Sequence, residues 1–91
     1  MKTWTAHVTI TLRRSILDVQ GKTVEHALHS LHMPTITDVR IGKHVELHVQ
    51  APDKDSAQDL VEQACSKLLA NPVMEDFQIN LIEGVQNGVP A

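Results

Sequence analysis

Aromatic side chains are nearly missing from this 91-residue chain: Trp4 and Phe77 are the whole complement, and there is no tyrosine. Platforms on which the bases of single-stranded nucleic acid stack are therefore absent. A Lys/Arg stripe is absent too, the formal net charge being -3, so no nucleic-acid partner is expected. The single cysteine, Cys65, leaves no internal disulfide and no CxxC pair for metal or redox work. Apolar runs are short, Leu68-Leu69-Ala70 being typical, against the roughly 20 residues a membrane-spanning helix needs. Met1-Lys2-Thr3-Trp4-Thr5 alternates polar and apolar residues and holds no signal-peptide core. A cytoplasmic chain without a membrane partner is expected.

What is present suffices for one small domain. Hydrophobic residues make up 42% of the chain, which sets it apart from disordered sequences, and its core has to be built from Val, Ile, Leu and Ala. A chain of this length buries about 60–65% of its unfolded surface, so an interface with further copies would add burial that the chain alone lacks.

Residues 3–13 alternate strictly. Trp4, Ala6, Val8, Ile10 and Leu12 point one way, and Thr3, Thr5, His7, Thr9 and Thr11 the other, the period of a strand with one buried face. Asp18 is the N-cap candidate of a first helix whose stripe is Val24, Ala27, Leu28 and Leu31, at i, i+3, i+4 and i+7. Pro34 ends it by residue 32 or 33. From Ile36 to Gln50 the period returns to two, with Gly42-Lys43 interrupting it, which predicts a hairpin of strands 2 and 3. A second helix is predicted from about Asp55 to Ala70, capped by Asp53 or Asp55. Its stripe is Ala57, Leu60, Val61, Ala64 and Leu68, flanked by Cys65 and Leu69, and Asn71-Pro72 stops it. Glu75–Glu83 reads as strand 4, and 84–91 as a mobile Gly/Pro/Asn-rich tail. The expected fold is α+β: βαββαβ in residues 1–83, an antiparallel sheet with both helices on one face. Exchange of segments between two chains stays open.

Three stretches carry a family signal: Asp18–Leu28 (DVQGKTVEHAL), Val39–Leu47 (VRIGKHVEL) and Leu68–Phe77 (LLANPVMEDF). In order and spacing they resemble the PurS family, the small subunit of multi-subunit phosphoribosylformylglycinamidine synthase, over roughly residues 4–83. Family members often carry proline where Val19 stands. The resemblance implies a non-catalytic subunit, a homodimer or homotetramer, that bridges a large ATP-dependent synthetase subunit and a glutaminase subunit. It implies no cofactor on this chain, ATP and Mg being used by the complex, and no catalytic residue here.

Candidate contact residues follow from the same stretches: Asp18, Gln20 and Gly21 at the helix entry, Arg40, Gly42, Lys43 and Glu46 around the predicted hairpin, and Asn71 and Pro72 at the second helix exit. Each has a plainer reading: a helix start, solvated charge on a turn, a helix stop. The six histidines offer His26, His29 and His32 on the first helix, and His7, His44 and His48 with Glu46 on polar strand faces. A His/Glu cluster can hold zinc or nickel, but no third convergent ligand is visible in the sequence, and solvated or interface histidines are the alternative. Cys65 lies inside the second helix beside its stripe and reads as a small buried hydrophobe. A ligand- or metal-binding regulatory module of the same shape is the competing function, since this architecture hosts many. No nucleophile–base pair or carboxylate dyad can be placed for a stand-alone enzyme.

Overall fold

A computed structural model describes residues 1–84; the tail expected over 84–91 lies, beyond Gly84, outside the described residues. The strictly alternating first segment forms strand β1 (Lys2–Leu12). It is the central strand of a three-stranded sheet, with β2 (Gly42–Ala51) on one side and β3 (Glu75–Glu83) on the other. Both neighbours run antiparallel to β1, Val8 facing Val45 on one side and Ile79 on the other. The register brings Trp4, Ala6, Val8 and Ile10 of β1 onto one face with Val45, Leu47 and Val49 of β2 and Phe77, Ile79 and Leu81 of β3. Helix α2 (Lys54–Ala64) covers that face. Its cap is Asp53, whose carboxylate accepts from the Ser56 amide at 2.8 Å.

The buried line of α2 is Ala57, Val61 and Cys65, spaced by four. Leu60 and Leu68, expected in the stripe, are exposed. For Leu68 the reason lies at the helix end. Residues Cys65–Leu69 form a π-helical turn, closed by the Ala70 amide donating to the Cys65 carbonyl at 2.9 Å. The wider turn shifts the phase of the side chains, so Leu69, not Leu68, packs on the core. Burial pushes the Cys65 thiol pKa up, with Glu62 adding to the effect, in keeping with a small hydrophobe rather than a nucleophile.

The class α+β with an antiparallel sheet and two helices holds, but two details of the sequence reading change. Residues 36–41 are not a strand, and there is no hairpin at Gly42-Lys43: among the described residues the order is β-α-β-α-β. Their backbone donors are engaged elsewhere, the Ile41 amide by Asp18 and the Val39 amide by Glu25, so no ladder forms. Helix α1 (Val19–Ser30) does not lie on the sheet beside α2 either. None of its residues enters the core, and only Gly21 is buried. Three strands give one helix's width of apolar face, which α2 already occupies.

Instead α1 and the chain that follows it form an arm. The helix ends at Ser30 with His32 in the left-handed region (φ 65°), the Met33 amide donating to the Leu28 carbonyl and the His32 amide to that of His29. This is a Schellman exit, here with histidine where glycine is usual. Residues 36–41 then run back along the helix: His29 Nε2 meets the Ile36 carbonyl at 2.8 Å, and Glu25 accepts from the Val39 amide at 3.4 Å. The radius of gyration is 16.6 Å, where a compact chain of this length has roughly 12 Å.

Candidate functional site

The junction between arm and sheet gathers most of the residues singled out in the sequence. Asp18, 5% exposed, uses both carboxylate oxygens. Oδ1 accepts from the Gly21 amide at 2.9 Å, capping α1, and Oδ2 accepts from the Ile41 amide at 2.6 Å, fastening the returning segment. These two amides, in that order, and then the Arg40 guanidinium hold its pKa below the ordinary carboxylate value. Arg40 points the other way along the seam. Its Nη2 donates to the carbonyls of Arg13 at 2.9 Å and Ile16 at 3.1 Å, with Leu12 at 3.3 Å. Three carbonyls at and just beyond the exit of β1 thereby share a charged donor.

Both glycines of this junction are close approaches of backbone to backbone. A Cβ on Gly21 would overlap the Val39 carbonyl, and one on Gly42 would sit 2.6 Å from the Ile10 carbonyl oxygen. Gly42 opens β2 rather than a turn. Lys43 pairs with Glu75 at 3.6 Å, and the other oxygen of Glu75 accepts from the Asn71 amide at 2.8 Å. Asn71 also folds its own turn, Oδ1 accepting from the Val73 amide at 3.0 Å. The Pro72 carbonyl accepts from Arg13. A shallow hollow of about 260 Å³ lies here, lined by Asp18, Gln20, Gly42, Lys43 and Glu75 among others.

Eight of the nine sequence candidates therefore belong to one connected junction, and Glu46 does not. It sits on the polar face of the sheet, 3.5 Å from His7. Glu75 and Glu25 complete the junction and the arm and were missed, while His29 was named only among the histidines and not as a tie to the returning segment. Their roles depend on which backbone lies opposite, which no local pattern encodes. The junction's polar groups mostly serve the chain itself. Asp18, Arg40, Asn71 and Glu75 are committed to backbone partners, whereas Gln20 and Lys43 are exposed.

What the arm leaves open is apolar. Val24, Leu31, Met33 and Ile36 are 39%, 64%, 45% and 39% exposed, and Leu17 and Val19 at its base are more than half exposed. Contiguous apolar surface on a small domain marks an interaction site. Fold and junction together define a small α+β assembly domain: a sheet with a covered core, and a clasped arm whose apolar face has no cover among the described residues.

Comparison with known proteins places this class. The profile of the PurS family, phosphoribosylformylglycinamidine (FGAM) synthase, matches residues 5–83. The FGAM synthase subunit PurS of Bacillus subtilis is 46% identical over 78 residues, which cover 86% of this chain and 92% of that protein. The solved B. subtilis PurS superposes with a TM-score of 0.78 at 44% identity, covering 88% of this chain and 99% of that one. A chain of the Thermotoga maritima PurLQS structure gives a TM-score of 0.83 at 29% identity, covering 90% and 100%. The chain belongs to the PurS family.

Proposed function

We propose that this chain is the small, non-catalytic subunit of FGAM synthase in purine biosynthesis, and that it works in the cytoplasm by bridging a large synthetase subunit and a glutaminase subunit. The chemistry explains the need for a bridge. Ammonia released from glutamine has to reach an amide activated by ATP and Mg in the synthetase. In water it takes up a proton and diffuses away. A subunit that fixes two active sites in mutual register and shields the path supplies both proximity and exclusion of solvent.

The observation that carries this reading is the arm. An arm clasped to the sheet at its base, with an apolar face left uncovered among the described residues, is a device for binding other chains. Its first occupant on this reading is another copy, giving a homodimer or homotetramer, with segment exchange as one form of it. The exposed Gln20 and Lys43 beside Gly42, and Glu46 on the sheet, are then contacts to partners, while Asp18, Gly21, Arg40, Asn71 and Pro72 hold the surface in shape. The test is reconstitution of glutamine-dependent synthesis from the separate synthetase and glutaminase with and without this chain. Activity is expected only when the chain is present; equal rates in its absence overturn the proposal.

A further inference from the structure

The polar face of the sheet carries a second constellation, independent of the arm. Register places Glu46 of β2 directly opposite His7 of β1, and His44 opposite Thr9 two pairs along. Alternation puts the side chains of 7, 9, 44 and 46 on one face. Long side chains reach across the diagonal of an antiparallel pair, and here they converge. His7 Nδ1 lies 3.4 Å from His44 Nε2 and 3.5 Å from Glu46 Oε1. Each of the three residues offers a ligand atom within 4.8 Å of the other two.

These spacings decide what the cluster fits. A zinc ion bound at about 2.0–2.1 Å to nitrogen and oxygen in a tetrahedron separates its ligand atoms by roughly 3.3–3.4 Å. Both distances from His7 Nδ1 are close to that edge length. Two imidazoles and one carboxylate are the donor set that borderline divalent ions favour, and three protein ligands leave the fourth position to water or to a partner's side chain. The base is firm: His7 is mostly shielded, its side chain 22% exposed, on the central strand. His44 and Glu46 lie on the open side. The two rings stack with centroids 5.4 Å apart and planes 28° apart, and the His44 ring is exposed and free of core packing.

We propose that His7, His44 and Glu46 form a binding site for a first-row divalent metal ion of the zinc class, which staples β1 to β2 across the sheet's open face. It uses the two strands alone and needs neither the arm nor the synthase partners.

The test is calorimetric titration of zinc into the full chain after stripping with a chelator, with cobalt(II) as an optical probe of coordination. About one zinc per chain is expected, with cobalt giving the intense visible bands of a four-coordinate site. Because His44→Ala removes a ligand and Glu46→Gln exchanges an anionic oxygen donor for a weak neutral one, each is expected to weaken zinc binding at least about tenfold. His48→Ala, on the same strand face but outside the cluster, is expected to bind as the unaltered chain does. Absence of uptake at micromolar zinc overturns the proposal, as does unchanged binding by both ligand variants. Should His44→Ala lose its fold, Glu46→Gln, at an exposed position, carries the decision.

Discussion

Asp18 shows how much one side chain can organise. Its two oxygens start α1 and hold Ile41, so the entry to the arm and its return are fixed by a single carboxylate. Its charged form is favoured in the folded state. The unfolded chain therefore binds the proton more readily, and Asp18 contributes stability that is fully present above the ordinary carboxylate pKa of about 3.9. That contribution is lost as pH falls through the lower folded value. Asp53, whose pKa is lowered by the Ser56 amide and hydroxyl, acts in the same direction. Asp18→Asn is expected to lower stability at neutral pH and to flatten the acid limb of a urea-midpoint profile below about pH 4. Asp18 was legible as a cap from its place before the helix stripe. Its second bond was not, because Ile41 lies 23 positions further along the chain.

At the scale of elements, the two helices differ in what ends them. The exit of α1 uses His32 at φ 65°, a conformation that costs an L-residue about 1–2 kcal/mol and glycine almost nothing. His32→Gly is expected to stabilise the folded chain by roughly 0.5–1 kcal/mol, less than the full strain because glycine also gains freedom when unfolded. Chemical denaturation followed by far-ultraviolet circular dichroism measures it. The exit of α2 is a π turn, and here the sequence was mute: Cys65-Ser66-Lys67-Leu68-Leu69 fits a regular helix equally well. Strand β1 was readable because its alternation is unbroken from Thr3 to Leu12. Val39 and Ile41 alternate in the same way and yet form no strand, since Asp18 and Glu25 take the amides a ladder would use. Periodicity reports which side a residue faces, not what its backbone bonds to. For the same reason His7, His44 and Glu46 could be placed on polar faces separately, while their convergence needed the β1–β2 register.

For the whole molecule, the dominant feature is the arm, whose apolar face is exposed among the described residues. Its stripe of Val24, Ala27, Leu28 and Leu31 was plain in the sequence, but periodicity cannot distinguish a helix that covers its own sheet from one that waits for another chain. Self-association is expected in solution by sedimentation. Leu31→Glu, at a position 64% exposed in the single chain, is expected to weaken it at least about tenfold. The fluorescence of the buried Trp4 is expected to stay unchanged, because the sheet core lies apart from the arm. The strand order β2-β1-β3 has a further consequence, for synthesis. Of the three strands the middle one is made first, and its two neighbours begin only at Gly42 and Glu75. A nascent or truncated chain that stops short of Glu75 exposes one long, β-branched edge of β1, the kind of edge that recruits other chains into aggregates. Completion of the last strand, rather than of the arm, is the step that makes the newly made subunit safe to accumulate.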